Sequence, residues 1–245
     1  DEHTSRGLGD VYKRQLSVFR EPIQLEAITD QGLNIDELDS LVESGLARQA
    51  DSDTYDVHDL IREFLLQSLD TQAKEELHNK AVVWYEKQPS SSQISLELIY
   101  HLISSSRHED ATSIIIDEGR DLVKEGHIEL LGLLESIDTK SVNAEGACRI
   151  DRLRGEVLAL LGRFDEAEEA FNQARPPAEA AGLKDVIADI LSNLADIALK
   201  RGDSESSLGM HRKALELFIE LKDAVGAARS YNLSLIHISE PTRRV

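Results

Sequence analysis

The chain has 245 residues, 4% of them aromatic, and a formal net charge of −19. Scarce aromatics beside abundant Leu, Ala, Ile and Glu favour helices over a β-sandwich, and no apolar run approaches the roughly 18 residues a membrane span needs. The negative surface repels nucleic-acid phosphates and anionic lipid, and the single cysteine, Cys148, cannot close an internal disulfide, which points to a reducing cytoplasm.

The two ends stand apart from the rest. Residues 5–15 read "SRGLGDVYKRQ" and residues 233–244 read "LSLIHISEPTRR". With suitable codons, each back-translates to the reverse complement of the other, apart from the last few bases. Both resemble a transposase sequencing adapter translated on opposite strands. Residues 1–15 and 233–245 are therefore set aside as adapter-like scars. The natural segment expected is 16–232, a fragment cut at both ends, with 22 Lys/Arg and 42 Asp/Glu. Any catalytic domain of a parent protein is expected outside it.

Residues 16–70 have the pattern of a winged helix with a small β-hairpin. Pro22 suits the first turn of a helix. "NIDELDSLVESG" predicts a second helix, with Asn34 as cap, Glu37 completing a capping box, Leu38, Leu41 and Val42 as its apolar stripe, and Gly45 as its stop. "LARQ" and "TYDV" flank "ADSD" as a hairpin. The following helix is expected to bury Ile61, Phe64, Leu65 and Leu69. These 55 or so residues hold three basic residues, Arg20, Arg48 and Arg62, against 13 acidic ones. Phosphate neutralisation supplies most non-specific DNA affinity, so DNA is an unlikely partner.

"LVESGLARQ" followed by "YDVHDLIREF" resembles the winged-helix domain behind the nucleotide-binding domain of STAND-type signal-transduction ATPases, including the NB-ARC group. In that family a Met-His-Asp motif opens the helix after the wing, and its histidine approaches the nucleotide's β-phosphate. The matching residues here are Val57, His58 and Asp59, with Val in place of Met. The resemblance covers residues 16–70. It implies His58 as a nucleotide-sensing residue supported by Asp59, acting only with an upstream ATPase domain. ATP or ADP is thus implied for the intact parent, with no cofactor in the fragment itself. The residues alone allow a plainer reading, in which His58 and Asp59 start a helix and Asp59 complements its dipole.

Residues 71–141 predict diverged helical hairpins. "TQAKEELHNKAVVWYEKQ" places Leu77, Ala81, Val82 and Trp84/Tyr85 at helical spacing, and residues 89–92, "PSSS", form a loop. "SRHEDATSIIIDEG" aligns with the stretch beginning at Gly162 through Arg107, Ala111 and Ile115. Residues 142–232 resemble tetratricopeptide repeats. Ala167, Phe171 and Ala174 occupy the small, aromatic and small positions, and Gly155 the earlier small one, where paired helices approach closely. A second copy carries Leu194, Ala195, Gly202 and Ala214, with Ser207 and His211 replacing the expected Ala and aromatic. A third begins at Ala227. Gly162 to Gly202 is a step of 40 residues, against about 34 in the usual repeat. The Pro176-Pro177 pair predicts a break near residues 174–175. A plain helical bundle predicts the same helices without the 40-residue step. The fold expected is mainly all-α, a winged helix followed by a tetratricopeptide-like solenoid.

Catalytic patterns are not found. No phosphate loop G-x-x-x-x-G-K-[ST] occurs, and no H-E-x-x-H or cysteine pair suits zinc. His3 and His237 lie in the adapter-like ends. His78, His101, His108, His127 and His211 lack ligand spacing and are expected on solvated surfaces, and Cys148 reads as a packing residue. No catalytic or metal residue is therefore assigned, and no independent enzyme is expected. The leading expectation is a non-catalytic piece of a cytoplasmic signal-transduction or transcription regulator, whose repeats bind a protein or small inducer, with no membrane partner. The alternatives are a DNA-binding transcription regulator with protein-binding repeats, and a tetratricopeptide adaptor with no nucleotide link.

Overall fold

The computed structural model describes residues 15–30 and 35–239. The Asn34 cap and nearly all of the first adapter-like stretch lie outside the described residues. The described chain opens on a helical turn at residues 15–17, in which Gln15, the last residue of that stretch, is buried. Two compact units divide between Arg107 and His108.

In the first unit, β1 (Ile23–Gln24) leads into α1 (Leu25–Asp30) and α2 (Ile35–Glu43). β2 (Ala47–Asp51) and β3 (Thr54–Val57) form the hairpin. β3 is central, antiparallel to both others, giving the order β1-β3-β2. Pro22 is not in a helix: it precedes β1, and α1 begins three residues later. The residues after Pro22 pair instead with β3, Ile23 opposite Tyr55, and Leu25 donates its N–H to the Asp53 carbonyl at 2.8 Å. Sheet pairing thus displaces the helix start that proline alone would favour.

α3 (Asp59–Gln67) follows the hairpin. It does not bury Phe64, which is 71% exposed, as is its neighbour one turn earlier, Leu60, at 75%. The core accepts a narrower stripe through Ile61, Leu65 and Leu66, with Leu69 buried just beyond the helix. Phe64 lies to the side of that stripe. α4 (Thr71–Tyr85) and α5 (Ser92–Ser104) complete this unit, capped by the side chains of Asp70 and Ser91. Leu77, Ala81, Trp84 and Tyr85 share one core with Phe19, Ile28, Leu38 and Val57. The compact unit therefore runs past residue 70, where the sequence suggests a boundary, because α4 supplies much of its apolar filling.

The second unit contains α6 (His108–Glu125), the short α7 (Leu130–Ser136), α8 (Ala144–Leu160), α9 (Phe164–Ala181), α10 (Lys184–Lys200), α11 (Ser204–Glu220) and α12 (Ala224–Ser239). Successive helices α8 to α12 pack as antiparallel neighbours across short turns. The turns are alike. At each of Gly126, Gly162, Gly182 and Gly202 the chain enters the left-handed region, with φ between 69° and 88°. Around Gly162 its N–H reaches the Ala159 carbonyl at 3.1 Å, and the N–H of Arg163 reaches Leu158 at 2.9 Å. This pair of bonds satisfies carbonyls that a helix end leaves open. Lys222 adopts the same conformation at φ 58° without being glycine.

α9 runs unbroken through Pro176 and Pro177, so the break expected near residues 174–175 does not occur. The backbone bonds that the two prolines cannot donate would have reached the carbonyls of Asn172 and Gln173. Those residues, like the prolines, are exposed, and the orphaned carbonyls lie on the side open to water. On the opposite face Ala174 and Ala178 are fully buried, which holds the helix down across the dipeptide. An ion pair from Arg175 to Glu179, 2.7 Å, spans the same turn.

Small residues set the close approaches. Phe171 lies against Gly155, where an added Cβ would come within 2.6 Å of the ring, as the sequence suggests. Gly226 receives Phe218 in the same way, with an added Cβ at 2.5 Å, and Gly119 receives Leu153 at 2.8 Å.

Candidate functional site

His58 lies between β3 and α3 and is exposed. Its backbone is extended, φ −56° and ψ 136°, and its carbonyl accepts the first N–H bonds of the helix from Ile61 and Arg62. Its imidazole makes no cap bond, so the ring is free of the helix it precedes. Asp59 is 88% exposed at the side chain and is held by Arg62 at 2.6 Å. Arg62 also reaches Asp56 at 2.7 Å and the Val57 carbonyl at 3.0 Å. Arg48 grips the other oxygen of Asp56 at 2.6 Å. This lattice fixes the backbone on both sides of His58 and leaves its side chain exposed, as are those of Leu60 and Phe64 in the helix that follows.

The basic residues of this region are therefore engaged internally. Arg48 and Arg62 hold Asp56, and Arg20 holds the buried Glu97 at 2.7 Å while stacking over Tyr100 at 4.1 Å. Burial pushes the Glu97 carboxyl above its usual range, with Arg20 opposing.

Three histidines expected on the surface are in cores instead: His78 is 4% exposed, and His101 and His211 are fully buried. His78 and His101 face each other from α4 and α5, Nδ1 to Nδ1 at 2.8 Å, among Phe19, Tyr85 and Tyr100. Desolvation, with Lys74 adding to it, lowers the His78 pKa to about 4. Burial takes His101 well below its ordinary value as well. Neutral imidazole satisfies such a site because one ring donates and the other accepts. Sequence spacing concealed this pair, since the partners are 23 residues apart on different helices. Among the described residues no cluster of three or more His, Cys, Asp or Glu could hold a metal.

In the second unit, α6, α8, α10 and α12 line a half-open cavity of about 620 Å³. A chain of polar contacts crosses it. Arg120 of α6 bonds Asp189 of α10, which also lies 3.6 Å from Arg152 of α8. Arg152 holds Glu156 at 2.6 Å, and Asn193 reaches Glu156 at 3.3 Å. Arg229 of α12 bonds Asp196 at 2.6 Å, and His211 of α11 lies 3.4 Å from the other Asp196 oxygen. Burial raises the Asp189 pKa against the pull of Arg152 and Arg120. Burial also pushes Asp196 up, but His211 and Arg229 outweigh it and hold this carboxyl below its usual value. Sequence reading missed these residues, although a signal was present. Asp189 and Arg229 are 40 residues apart, as are Glu156 and Asp196.

Residues 146–220 match the tetratricopeptide repeat family. These residues span α8 through α11, so the helical hairpins there are tetratricopeptide-like. Among solved structures, the chain is similar to the crystal structure of a Signal Transduction ATPase with Numerous Domains (STAND) protein with a tetratricopeptide repeat sensor, from Pyrococcus horikoshii. The likeness covers 96% of this chain and 36% of that one, with a TM-score of 0.59 and 20% sequence identity. At that identity it shows the fold alone, and the chain spans little more than a third of that protein's length. Compared with the curated proteins, the chain matches none of them. The fold is thus mainly helical, a small three-stranded sheet with its helices followed by tetratricopeptide-like repeats. Among the described residues no helix is long and apolar enough to cross a membrane.

Proposed function

We propose that this chain is a non-catalytic part of a cytoplasmic STAND-like regulator. In this reading residues 16–70 are a winged helix coupled to an upstream ATPase domain, and the repeats bind a protein or small inducer. The observation that carries it is the start of α3, where His58, Leu60 and Phe64 are all exposed. An exposed apolar pair on the helix that an exposed imidazole precedes suits a surface that another domain covers. There the imidazole would donate a hydrogen bond to a phosphate oxygen of a bound diphosphate. Asp59 would act in support by fixing Arg62 and the helix start. The contact would favour the closed, inactive state, by as much as it differs between the two states. The DNA-binding alternative has less support, because Arg20, Arg48 and Arg62 are each engaged by a carboxylate.

The test is His58→Ala in a parent protein that carries the ATPase domain. We expect weaker ADP retention and higher basal activity there. In the chain alone we expect no nucleotide binding and little change in melting temperature. Unchanged ADP retention and activity in the parent would leave His58 as a helix-start residue and favour an adaptor without a nucleotide link.

A further inference from the structure

The cavity of the second unit has its charges sorted by depth. Three of its carboxylates are withdrawn: the side chains of Asp189 and Glu156 are 11% and 13% exposed, and Asp196 is 27% exposed. The fourth, Asp223, is half-buried at the start of α12, where it accepts the N–H groups of Val225 and Gly226. Its cations are outermost: Arg120 and Arg229 are 47% and 49% exposed. Each of these arginines uses only one terminal nitrogen in its carboxylate bond. A guanidinium carries five N–H donors, so both half-exposed arginines retain unused donors. Lys200 is exposed too. Its ammonium sits 4.7 Å over the Phe164 ring and has no carboxylate partner among the described residues. Asp196 and Lys200 are one helical turn apart on one face of α10, and Lys200 and the Arg229 that grips Asp196 both line the cavity. Beside them the wall is apolar, formed by Phe164, Ile197, the exposed Leu160 and the 82%-exposed Val225.

From this sorting we infer that the cavity binds a small amphiphilic acid, its carboxylate on Lys200 and Arg229 and its apolar body against Leu160, Phe164 and Val225. The inference rests on the reading of the repeats as a sensor and names the class of inducer. A volume of about 620 Å³ suits one small organic ligand, in the range usual for such sites. The acidic exterior does not prevent this, because at physiological salt charges more than about 8 Å away are largely screened. Of the nearer carboxylates, Asp189, Glu156 and Asp196 are matched by arginines, and Asp223 is taken up by the backbone N–H groups of Val225 and Gly226. What the opening presents to a ligand is the unused donors of Arg120, Arg229 and Lys200 beside an apolar wall.

The probe is 4-phenylbutyrate, titrated calorimetrically into the full chain, with the neutral 4-phenylbutanamide and the cationic 4-phenylbutylamine as controls. We expect saturable binding of the acid with a Kd on the order of 1 mM or tighter. The amide should bind about tenfold more weakly, as loss of a charge-assisted hydrogen bond requires. Lys200→Gln should reduce acid affinity about fivefold or more while leaving amide affinity and melting temperature unchanged. Leu160→Gln should weaken acid and amide together. Equal binding of acid and amide, tighter binding of the amine, or no saturable binding of the acid by about 10 mM would each overturn the inference. None of these outcomes bears on the His58 test, which reads nucleotide retention in a different unit.

Discussion

His78 and His101 hold a hydrogen bond that a doubly protonated pair cannot make, since two Nδ1–H donors would then face each other at 2.8 Å. Both have folded pKa values below that of a free histidine, and His78 falls to about 4. The unfolded chain therefore binds more protons as pH falls below about 6.5, and stability drops with pH across the window from 6.5 to 4. For His78 alone the loss is about 3 kcal/mol. Glu97, with its raised pKa, works in the opposite direction and blunts the limb. Urea unfolding at several pH values checks this: the double variant His78→Gln, His101→Gln should show a shallower fall from pH 6.5 to 4. An equally steep fall would locate the acid sensitivity elsewhere. A second residue-scale test is Gly155→Ala. Its Cβ would meet three atoms of the Phe171 ring at 2.6 to 2.8 Å, so it should cost about 1–3 kcal/mol in denaturant unfolding. Gly155 was legible from its repeat position. The histidines were not, because a ring neutralised by burial looks in sequence like any other polar residue on a helix.

At the level of single elements, two features invite substitution. Lys222 ends α11 at φ 58°, where its Cβ is strained and the equivalent turns carry glycine. Lys222→Gly should raise stability by up to about 1 kcal/mol, read as an upward shift in melting temperature. No shift would mean the freedom glycine gains in the unfolded chain cancels the relief. In α9, Pro176→Ala restores an N–H donor to an exposed carbonyl and should stabilise the helix by up to the roughly 3 kcal/mol that proline costs in a helix interior. The helices themselves were readable from apolar spacing, as Leu77, Ala81, Val82, Trp84 and Tyr85 show by all being buried. Three local inferences failed for one reason. Pro22, Phe64 and the Pro176-Pro177 pair each carry a strong local preference, and in each case a tertiary partner decided: β3 for the first, a narrow core stripe for the second, the buried Ala174 and Ala178 for the third.

For the whole molecule the governing quantity is charge. A chain at −19 whose Arg20, Arg48 and Arg62 are bound internally has little with which to displace counterions from DNA. A gel-shift assay at physiological salt should show no complex at micromolar chain concentrations. Sub-micromolar, salt-sensitive binding would promote the DNA-binding alternative. The repeat architecture was legible because Gly162 and Gly202 punctuate it at a fixed step. The cavity was not, because its charges converge from four helices and the 40-residue period relates only some of them, Glu156 to Asp196 and Asp189 to Arg229. That period is visible in the sequence once charges, rather than apolar residues, are compared at equal steps.

The glycines inside these helices have a consequence for how the second unit comes together. Gly119 in α6, Gly155 in α8 and Gly226 in α12 each make room for a neighbour's side chain. Each also weakens its own helix by about 1 kcal/mol relative to alanine. A segment that gives up intrinsic helicity to seat its neighbour cannot be well ordered before that neighbour arrives. Excised peptides spanning α6 or α8 should be mostly coil by circular dichroism, while the joined hairpin α8–α9 should gain helix well beyond the sum of its halves. Assembly of such an array proceeds by pairwise recruitment, each helix acting as the template on which the next becomes ordered.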